Sequence, residues 1–306
     1  MDALYNAAKP RVVAIGGPTA TGKTALSVAL AKRFGGEIIS ADSMQIYQGL
    51  DVGTAKVTPE EMQGVPHHLV GFLAPEQAFS VADFTTLAGK TITQLTAQGK
   101  LPLVVGGTGL YITSLLNGIG FTPEKVDPAI RQELQARLQA EGSQALYAEL
   151  AAVDPGYAAK VHPNNTPRVI RALELYRATG RKMSAEREAA RPAEKPYRSL
   201  CLCLTCRDRT LLYQRIDTRC DRMMQSGILE EAKLVYDHRD TYRTAAQAIG
   251  YKEFFPYFEG TADLESCLAH LKQASRNYAK RQLTWFRRQT DAVSVSYTHL
   301  RAHETL

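Results

Sequence analysis

The amino-acid sequence predicts an α/β fold in which a doubly wound parallel sheet carries a helical insertion domain. Three short apolar runs, Arg11–Gly16, residues 37–40 and Leu101–Val105, have the length and composition of buried strands. Helical patterns separate these runs, and such alternation is typical of a parallel sheet with helices on both faces. A charged stretch that is poor in strand signals then interrupts the alternation and indicates the insertion.

Two amphipathic segments supply the helices between the predicted strands. Lys23–Phe34 has apolar or small residues at helical spacing: Leu26, Ala29, Leu30 and Phe34. A second helix begins after Ser80, which forms a capping-box pattern with Asp83. Its predicted buried face consists of these residues: Val81, Phe84, Ala88, Ile92 and Leu95.

The pattern changes near Pro123, which sets the predicted domain boundaries. Residues 124–196 are helical and charged, so we expect a helical insertion domain. Residues 10–123 and 197–290 form the core domain, which resumes with a strand at residues 200–205 and ends with helices over residues 211–237 and 264–288. The tail, residues 291–306, follows no familiar pattern, and we expect it to be disordered or foreign sequence.

Composition and charge indicate a globular protein of a reducing compartment. The chain has 306 residues, of which 44% are hydrophobic and 22% charged, and its net charge of +6 permits a polyanionic partner. Its five cysteines are an odd number without framework spacing, which disfavours a disulfide scaffold. No apolar signal region is evident, and no apolar run approaches the roughly 18 residues that span a bilayer. We therefore expect a cytoplasmic monomer without a membrane partner.

A glycine-rich motif follows the first predicted strand and opens the first helix. It matches G-x-x-x-x-G-K-[ST] over eight residues: Gly17, Pro18, Thr19, Ala20, Thr21, Gly22, Lys23 and Thr24. The glycines let the backbone wrap an anion, and the helix N-terminus offers free N–H donors and about half a positive charge. Lys23 adds a full charge, and the Thr24 hydroxyl can ligate Mg²⁺. The motif makes the predicted fold P-loop NTPase-like and predicts a site for a di- or triphosphate.

The other residues that a nucleotide hydrolase or kinase would need are not evident. Leu101–Val105 ends in Gly106-Gly107, where such an enzyme often places an aspartate that organises Mg²⁺. The acid that could serve the site is instead Asp42, just past the strand at residues 37–40 and therefore at the carboxyl end of the sheet, where ligands of α/β proteins bind. Asp42 is either a functional carboxylate of this site or a helix or turn cap.

Successive blocks of the chain resemble those of the tRNA dimethylallyltransferases. Besides the P-loop, the blocks are as follows: residues 42–47 (DSMQIY), 51–56 (DVGTAK), 66–68 (PHH), 106–111 (GGTGLY), Arg168 with residues 171–174 (RALE), 248–253 (AIGYKE) and 278–287 (YAKRQLTWFR). They run in family order from about residue 11 to residue 288, so the resemblance covers nearly the whole chain.

The resemblance implies a reaction in which the dimethylallyl group of dimethylallyl pyrophosphate is transferred to the exocyclic N6 of an adenosine adjacent to the anticodon of a tRNA. Pyrophosphate leaves, and Mg²⁺ assists. The P-loop would hold the pyrophosphate, and Lys23 would neutralise charge as the allylic C–O bond breaks. Asp42 would be the general base that takes the amine proton. Thr108 would sit beside Asp42 at the reacting centre.

The resemblance also implies which residues hold the two substrates. Asp42, Ser43, Met44 and Gln45 would contact the tRNA, with Ser43 and Gln45 against the target adenine. Arg219 is a candidate for a second pyrophosphate clamp, and it could equally be a solvated helix residue.

Basic residues in two parts of the chain are candidates for tRNA contact. Lys272, Arg276 and Lys280 are four apart and form one stripe along a helix, and Arg281 follows. The stripe is either a phosphate-binding surface or a solvated face. In the insertion, which in the family grips the anticodon stem and loop, Arg168 and Arg171 are the matching residues.

Two other functions stay open. A related prenyltransferase could act on free adenine nucleotides, although a small substrate needs neither the insertion nor the basic stripe. A P-loop kinase or an RNA-binding ATPase would turn over ATP without a prenyl donor.

Overall fold

The computed structural model of the chain describes residues 9–121, 127–190 and 192–296. The helices and strands of these residues are, in chain order: β1 (Arg11–Gly16), α1 (Lys23–Phe34), β2 (Gly36–Ser40), α2 (Pro59–Met62), β3 (His67–His68), α3 (Val81–Ala97), β4 (Leu101–Val105), α4 (Gly109–Leu116), α5 (Pro128–Val153), α6 (Pro155–Ala158), α7 (Thr166–Thr179), α8 (Met183–Ala189), β5 (Arg198–Thr205), α9 (Arg209–Gln225), α10 (Ile228–Asp237), α11 (Phe255–Phe258), α12 (Leu264–Gln289) and β6 (Val293–Ser296). Short 3₁₀ helices at Ala245–Gln247 and Lys252–Phe254 precede α11.

The six strands of the described residues form one sheet in the order β3-β2-β4-β1-β5-β6, and every neighbouring pair is parallel. Val105 of β4 pairs with Ile15 of β1 on one side and with Ser40 of β2 on the other. The loops that follow β1, β2 and β4 therefore leave the sheet at the same level. The predicted fold class is confirmed.

Helices cover both faces of the sheet. Successive side chains of a strand point to opposite faces, so each face packs against its own helices. On β1, Ala14 packs with residues of α3 and α4, whereas Ile15 packs with residues of α1. The predicted capping box of Ser80 and Asp83 is confirmed at the start of α3. On β5, Cys201 and Cys203 are buried on the α3 side as free thiols, and Leu204 is buried on the α1 side.

The chain divides into two compact units. One is Asn117–Glu194, and the other consists of the residues on either side of it. Within Asn117–Glu194, α5 and α7 share a core that includes Leu134, Leu150 and Leu173. The predicted insertion, residues 124–196, lies mostly within this unit, which begins earlier because α4 ends at Leu116.

The helix predicted over residues 211–237 is two helices, α9 and α10. The chain breaks at Gly227, whose φ of 91° is left-handed and which caps the N-terminus of α10. Glycine adopts this conformation without steric cost, so the chain can end α9 at Gln225 and begin a new helix at Ile228.

The apolar pattern of α1 matches its packed face only in part. Leu26 and Leu30 pack against the core cluster that contains Val28 and Ala31, whereas Phe34 is 60% exposed.

The expectation that the tail is disordered is wrong for Val293–Ser296. These residues form β6, which pairs in parallel with residues 202–205 of β5. The edge of β5 offers unpaired backbone groups that a neighbouring extended segment satisfies. The rest of the predicted tail, residues 297–306, lies outside the described residues. No helix in the described part of the chain is long and apolar enough to cross a membrane.

Phe286 of α12 allows a test of how the core is held together. Its side chain is 1% exposed and lies where a Cβ on Gly16 would overlap its ring. We expect F286A to lower the free energy of unfolding by about 3–5 kcal/mol in urea titrations, because it leaves a cavity at the end of β1. The control is F34A at the 60% exposed Phe34, which should change it by less than about 0.5 kcal/mol. Equal losses in the two variants would contradict this packing.

Candidate active site

The P-loop, residues 17–24, makes a sharp turn between β1 and α1. Gly17 and Gly22 have positive φ angles of 136° and 78°, and Ala20 has a φ of 61°. Gly17 also lacks space for a side chain, because a Cβ there would contact the carbonyl oxygen of Leu204 in β5. Glycine at both ends of the loop is therefore a geometric requirement.

The side chains of the P-loop hold its shape. Thr21 Oγ1 donates to the Pro18 carbonyl oxygen at 2.8 Å, and Lys23 Nζ donates to the same oxygen at 2.6 Å. Thr24 is the second residue of α1, and its carbonyl oxygen accepts a bond from Ser27 Oγ at 2.8 Å. The loop thus presents the helix N-terminus, an ammonium and a hydroxyl at one place.

Asp42 follows β2 at the carboxyl edge of the sheet. Its Oδ1 accepts hydrogen bonds from the backbone N–H groups of Met44 at 2.9 Å and Gln45 at 3.4 Å. Asp42 therefore does cap a turn, as the alternative interpretation holds. Both bonds involve Oδ1, and among the described residues none donates to Oδ2.

The charges of Asp42, Lys23 and Arg219 act on one another. Burial, and then the charge of Arg219, lower the pKa of Lys23 to about 8, whereas Asp42 opposes the shift. Burial also lowers the pKa of Arg219, again against the effect of Asp42. Two partly desolvated cations and one carboxylate therefore share the mouth of the P-loop.

Thr108 lies in the loop between β4 and α4, next to the Asp42 turn. Its N–H donates to the Ala41 carbonyl oxygen at 3.2 Å. Its hydroxyl accepts from the Ser43 N–H at 3.1 Å and donates to Ser43 Oγ at 3.4 Å. Asp42, Ser43 and Thr108 are thus brought together by the parallel pairing of β2 and β4.

Gln45 and Met44 are less open to a ligand than Asp42. Gln45 Nε2 donates to the Ala55 carbonyl oxygen at 3.1 Å, so its amide holds a neighbouring loop. Met44 is partly buried against a core cluster that includes Tyr47 and Ile46. The contact of Gln45 with the target adenine and the contact of Met44 with the tRNA stay predictions.

Two residues of α12 that the sequence analysis did not assign to the site belong to it. The P-loop N–H of Thr19 donates to Gln282 Oε1 at 3.1 Å, and Gln282 Nε2 donates to the Gly107 carbonyl oxygen at 3.0 Å. Tyr278, one turn earlier, has its pKa raised to about 12 by burial and by the charge of Asp42. The signal for both was present: residues 278, 282 and 286 are four apart, and a polar residue between two aromatic ones on a buried face needs a partner.

The basic stripe of α12 lies against α9. Lys272 Nζ forms an ion pair with Asp221 at 2.6 Å, and Arg276 forms one with Asp217 at 2.6 Å. Lys280 lies over the ring of Tyr213, 5.9 Å from its centroid. These contacts neutralise two of the three cations, whereas Arg281, the next basic residue, is exposed.

The two candidate arginines of α7 differ in their contacts. Arg171 donates to the buried carboxylate of Glu174 at 2.9 Å, and Arg131 of α5 binds the same carboxylate through two bonds. Both arginines are exposed, so the ion pair of Arg171 is what distinguishes them.

Known proteins resemble this chain over most of its length. A family model described as IPP transferase matches residues 45–289, and one described as isopentenyl transferase matches residues 10–70. The tRNA dimethylallyltransferase of Bacillus subtilis is 51% identical over 282 residues, which covers 92% of this chain and 89% of the relative.

Solved structures give the same result. The tRNA isopentenylpyrophosphate transferase of Bacillus halodurans has a TM-score of 0.70 and 44% identity, and the match covers 97% of this chain and 95% of the other. A eukaryotic dimethylallyltransferase acting on tRNA has a TM-score of 0.80 and 31% identity, with 97% and 76% covered. By these matches of sequence and fold, the chain belongs to the tRNA dimethylallyltransferase family and is a prenyltransferase.

Proposed function

We propose that this enzyme transfers the dimethylallyl group of dimethylallyl pyrophosphate to N6 of the adenosine adjacent to the anticodon in tRNA, and that it releases pyrophosphate. The observation that carries the proposal is the juxtaposition of an anion-binding P-loop, two cations and the Asp42 carboxylate at one edge of the sheet. A kinase site has no need of a general base of this kind for an aromatic amine.

The leaving pyrophosphate would be held by the P-loop amides together with Lys23 and Arg219. Arg219 is partly buried, and no residue of the described ranges forms an ion pair or a hydrogen bond with its guanidinium. A desolvated cation without a partner is unfavourable, and a bound pyrophosphate would supply its counter-charge. This favours the clamp over the solvated-residue interpretation of Arg219.

We propose Mg²⁺ as the accompanying metal, held by Thr24 and the pyrophosphate. Within the described residues, no cluster of three or more His, Cys, Asp or Glu side chains could form a protein cage for a metal. The donor set present fits Mg²⁺, which usually keeps several waters and binds together with substrate phosphates. When bound, the ion would neutralise charge on the pyrophosphate.

Asp42 would act as the general base. The N6 lone pair of adenine is conjugated with the ring, so the amine is a weak nucleophile. As its nitrogen bonds to the allylic carbon, the C–O bond breaks, pyrophosphate leaves with the bonding electrons, and Asp42 Oδ2 accepts the amine proton. The two N–H groups on Oδ1 fix the carboxylate without using the second oxygen.

The remaining groups at this edge would position the adenine. Ser43 and Thr108 present hydroxyls beside Asp42. Burial and the charge of Asp42 raise the pKa of Tyr278 to about 12, so its hydroxyl keeps its proton near neutral pH and can donate a hydrogen bond. A target base in a single-stranded loop costs only a few kcal/mol to unstack, which makes an anticodon loop a suitable substrate.

For tRNA contact we propose the exposed Arg281 and Arg168. Lys280, which lies over the Tyr213 ring, and Arg171, which pairs with Glu174, would make additional contacts. Lys272 and Arg276 are weaker candidates, because a phosphate would compete with their aspartate partners on α9. All the proposed reacting groups come from the larger of the two units, so a monomer would suffice, and no membrane is required.

Mass spectrometry of nucleosides tests the function directly. After incubation with tRNA, dimethylallyl pyrophosphate and Mg²⁺, we expect one adenosine beside the anticodon to gain a five-carbon prenyl group. Parallel reactions with AMP in place of tRNA test for a prenyltransferase that acts on free nucleotides. Reactions with ATP and no prenyl donor test for a kinase or an ATPase. Prenylated AMP with unmodified tRNA, or ATP turnover without a prenyl donor, would overturn the proposal.

Replacement of Asp42 tests the base. D42N keeps an oxygen that can accept from Met44 and Gln45 but cannot take up a proton, so kcat for tRNA prenylation should fall by about 10²–10⁴-fold. Binding of dimethylallyl pyrophosphate, measured by calorimetry, should be largely unchanged. D240N, at an exposed aspartate, is the control and should match the wild type. Full activity in D42N would remove Asp42 as the base.

The pH dependence tests the role of Lys23. Burial and the charge of Arg219 lower its pKa to about 8, so in the free enzyme the ammonium loses its proton as the pH rises through this value. Since the charged form attracts pyrophosphate, kcat/KM for dimethylallyl pyrophosphate should fall as the pH rises above that value. K23M should have a lower kcat/KM without this inflection. An inflection that persists in K23M would assign the titration to another group.

A further inference from the structure

Glu231 of α10 binds a loop that lies far from it in the sequence. Its carboxylate accepts from three successive backbone N–H groups, those of Asp51 at 2.7 Å, Val52 at 2.9 Å and Gly53 at 2.8 Å. The Tyr251 hydroxyl donates a fourth hydrogen bond at 2.7 Å. Successive backbone N–H groups form a concave nest for an anion, and hydrogen bonds to a carboxylate are stronger than neutral ones. One side chain therefore fixes the start of the loop.

The loop is fitted closely to this arrangement. A Cβ on Gly53 would overlap the ring of Tyr251, which is itself fully buried. The loop then turns back on itself, since the Lys56 N–H donates to the Asp51 carbonyl oxygen at 2.9 Å. Residues 51–56 are thus held in one conformation by contacts with α10 and Tyr251.

The same loop holds the segment that carries Asp42. Gln45 Nε2 donates to the Ala55 carbonyl oxygen at 3.1 Å. Lys56 Nζ donates to the Tyr47 carbonyl oxygen at 2.5 Å and also pairs with Asp51. Two side-chain bonds therefore tie residues 51–56 to residues 42–47.

Asp42 receives its orientation from this segment. Its Oδ1 is fixed by the N–H groups of Met44 and Gln45, so a shift of the backbone at these residues turns the carboxylate. We propose that Glu231 is a positioning residue for prenyl transfer: through the loop at residues 51–56, it aims the carboxylate of Asp42. The inference rests on the proposed function and concerns a residue that touches neither substrate.

The pyrophosphate cradle does not depend on this chain of contacts. The P-loop is braced instead from α12, through the bond between the Thr19 N–H and Gln282. A loss of Glu231 should therefore lower the rate of prenyl transfer and leave the affinity for the prenyl donor unchanged. A general loss of stability would lower both.

The test uses E231Q, with E230Q as its matched control. An amide has one oxygen and one NH₂ group, and that NH₂ faces N–H donors, so E231Q loses part of the nest without loss of volume. Glu230 is the preceding residue on the same helix and is exposed. We expect kcat for tRNA prenylation to fall by about 10–100-fold in E231Q, since small errors in placement are costly to catalysis. KM for dimethylallyl pyrophosphate and the affinity for inorganic pyrophosphate should stay within about twofold of the wild type, and E230Q should match the wild type throughout.

Y251F supplies a second and milder variant, because it removes one of the four bonds to Glu231. It should lower kcat several-fold with the same unchanged donor binding, and it carries the test if E231Q does not fold. Wild-type kcat in both variants, or equal losses in kcat and pyrophosphate affinity, would overturn the positioning role. Full activity in D42N would instead count against Asp42 as the base. This outcome differs from a failure of the positioning role alone, in which D42N is inactive and E231Q keeps the wild-type kcat.

Discussion

The convergence of three loops at the carboxyl edge of β1, β2 and β4 is the constraint on which the site depends. The register places Ile15, Ser40 and Val105 side by side, so each strand releases its loop at the same level. The P-loop, the Asp42 turn and the Thr108 loop are therefore neighbours although they are far apart in the sequence. Parallel pairing brings an anion cradle and a base together, although Lys23 and Asp42 each bond to the backbone of their own loop.

Helix α12 fits against this edge because glycines leave room for it. A Cβ at Gly16, Gly107 or Gly109 would overlap Phe286, Gln282 or Trp285, respectively. These glycines are required by close approach of a helix and not by backbone conformation. The approach lets the single amide of Gln282 bond to both the P-loop and the Gly107 carbonyl oxygen. Packing of α12 thus sets the distance between the cradle and the Thr108 loop.

Local signals predicted much of this arrangement, and tertiary contacts explain what they missed. The apolar runs and the P-loop glycines predicted β1, β4 and their loops, because those signals lie within a few residues of one another. The spacing of Lys272 and Arg276 correctly predicted one helix face, but spacing does not say what that face meets. Asp217 and Asp221 on α9 have the same four-residue spacing, and only the fold brings the two rows together. Gln282 was missed for the same reason.

The two interpretations of Asp42, cap or base, do not exclude each other. One oxygen accepts the N–H groups of its own turn, and this fixes where the other oxygen points. A carboxylate that bound a cation directly would have a lower basicity, and one that was free to rotate would be poorly aimed. Asp42 instead interacts with the charges of Lys23 and Arg219 at longer range, and no described residue forms an ion pair with it. Burial lowers the pKa values of these two cations, and the negative charge of a pyrophosphate that enters the site would raise them again. The site is therefore organised for an anion that arrives with the substrate, and the carboxylate stays available for the proton of the acceptor amine.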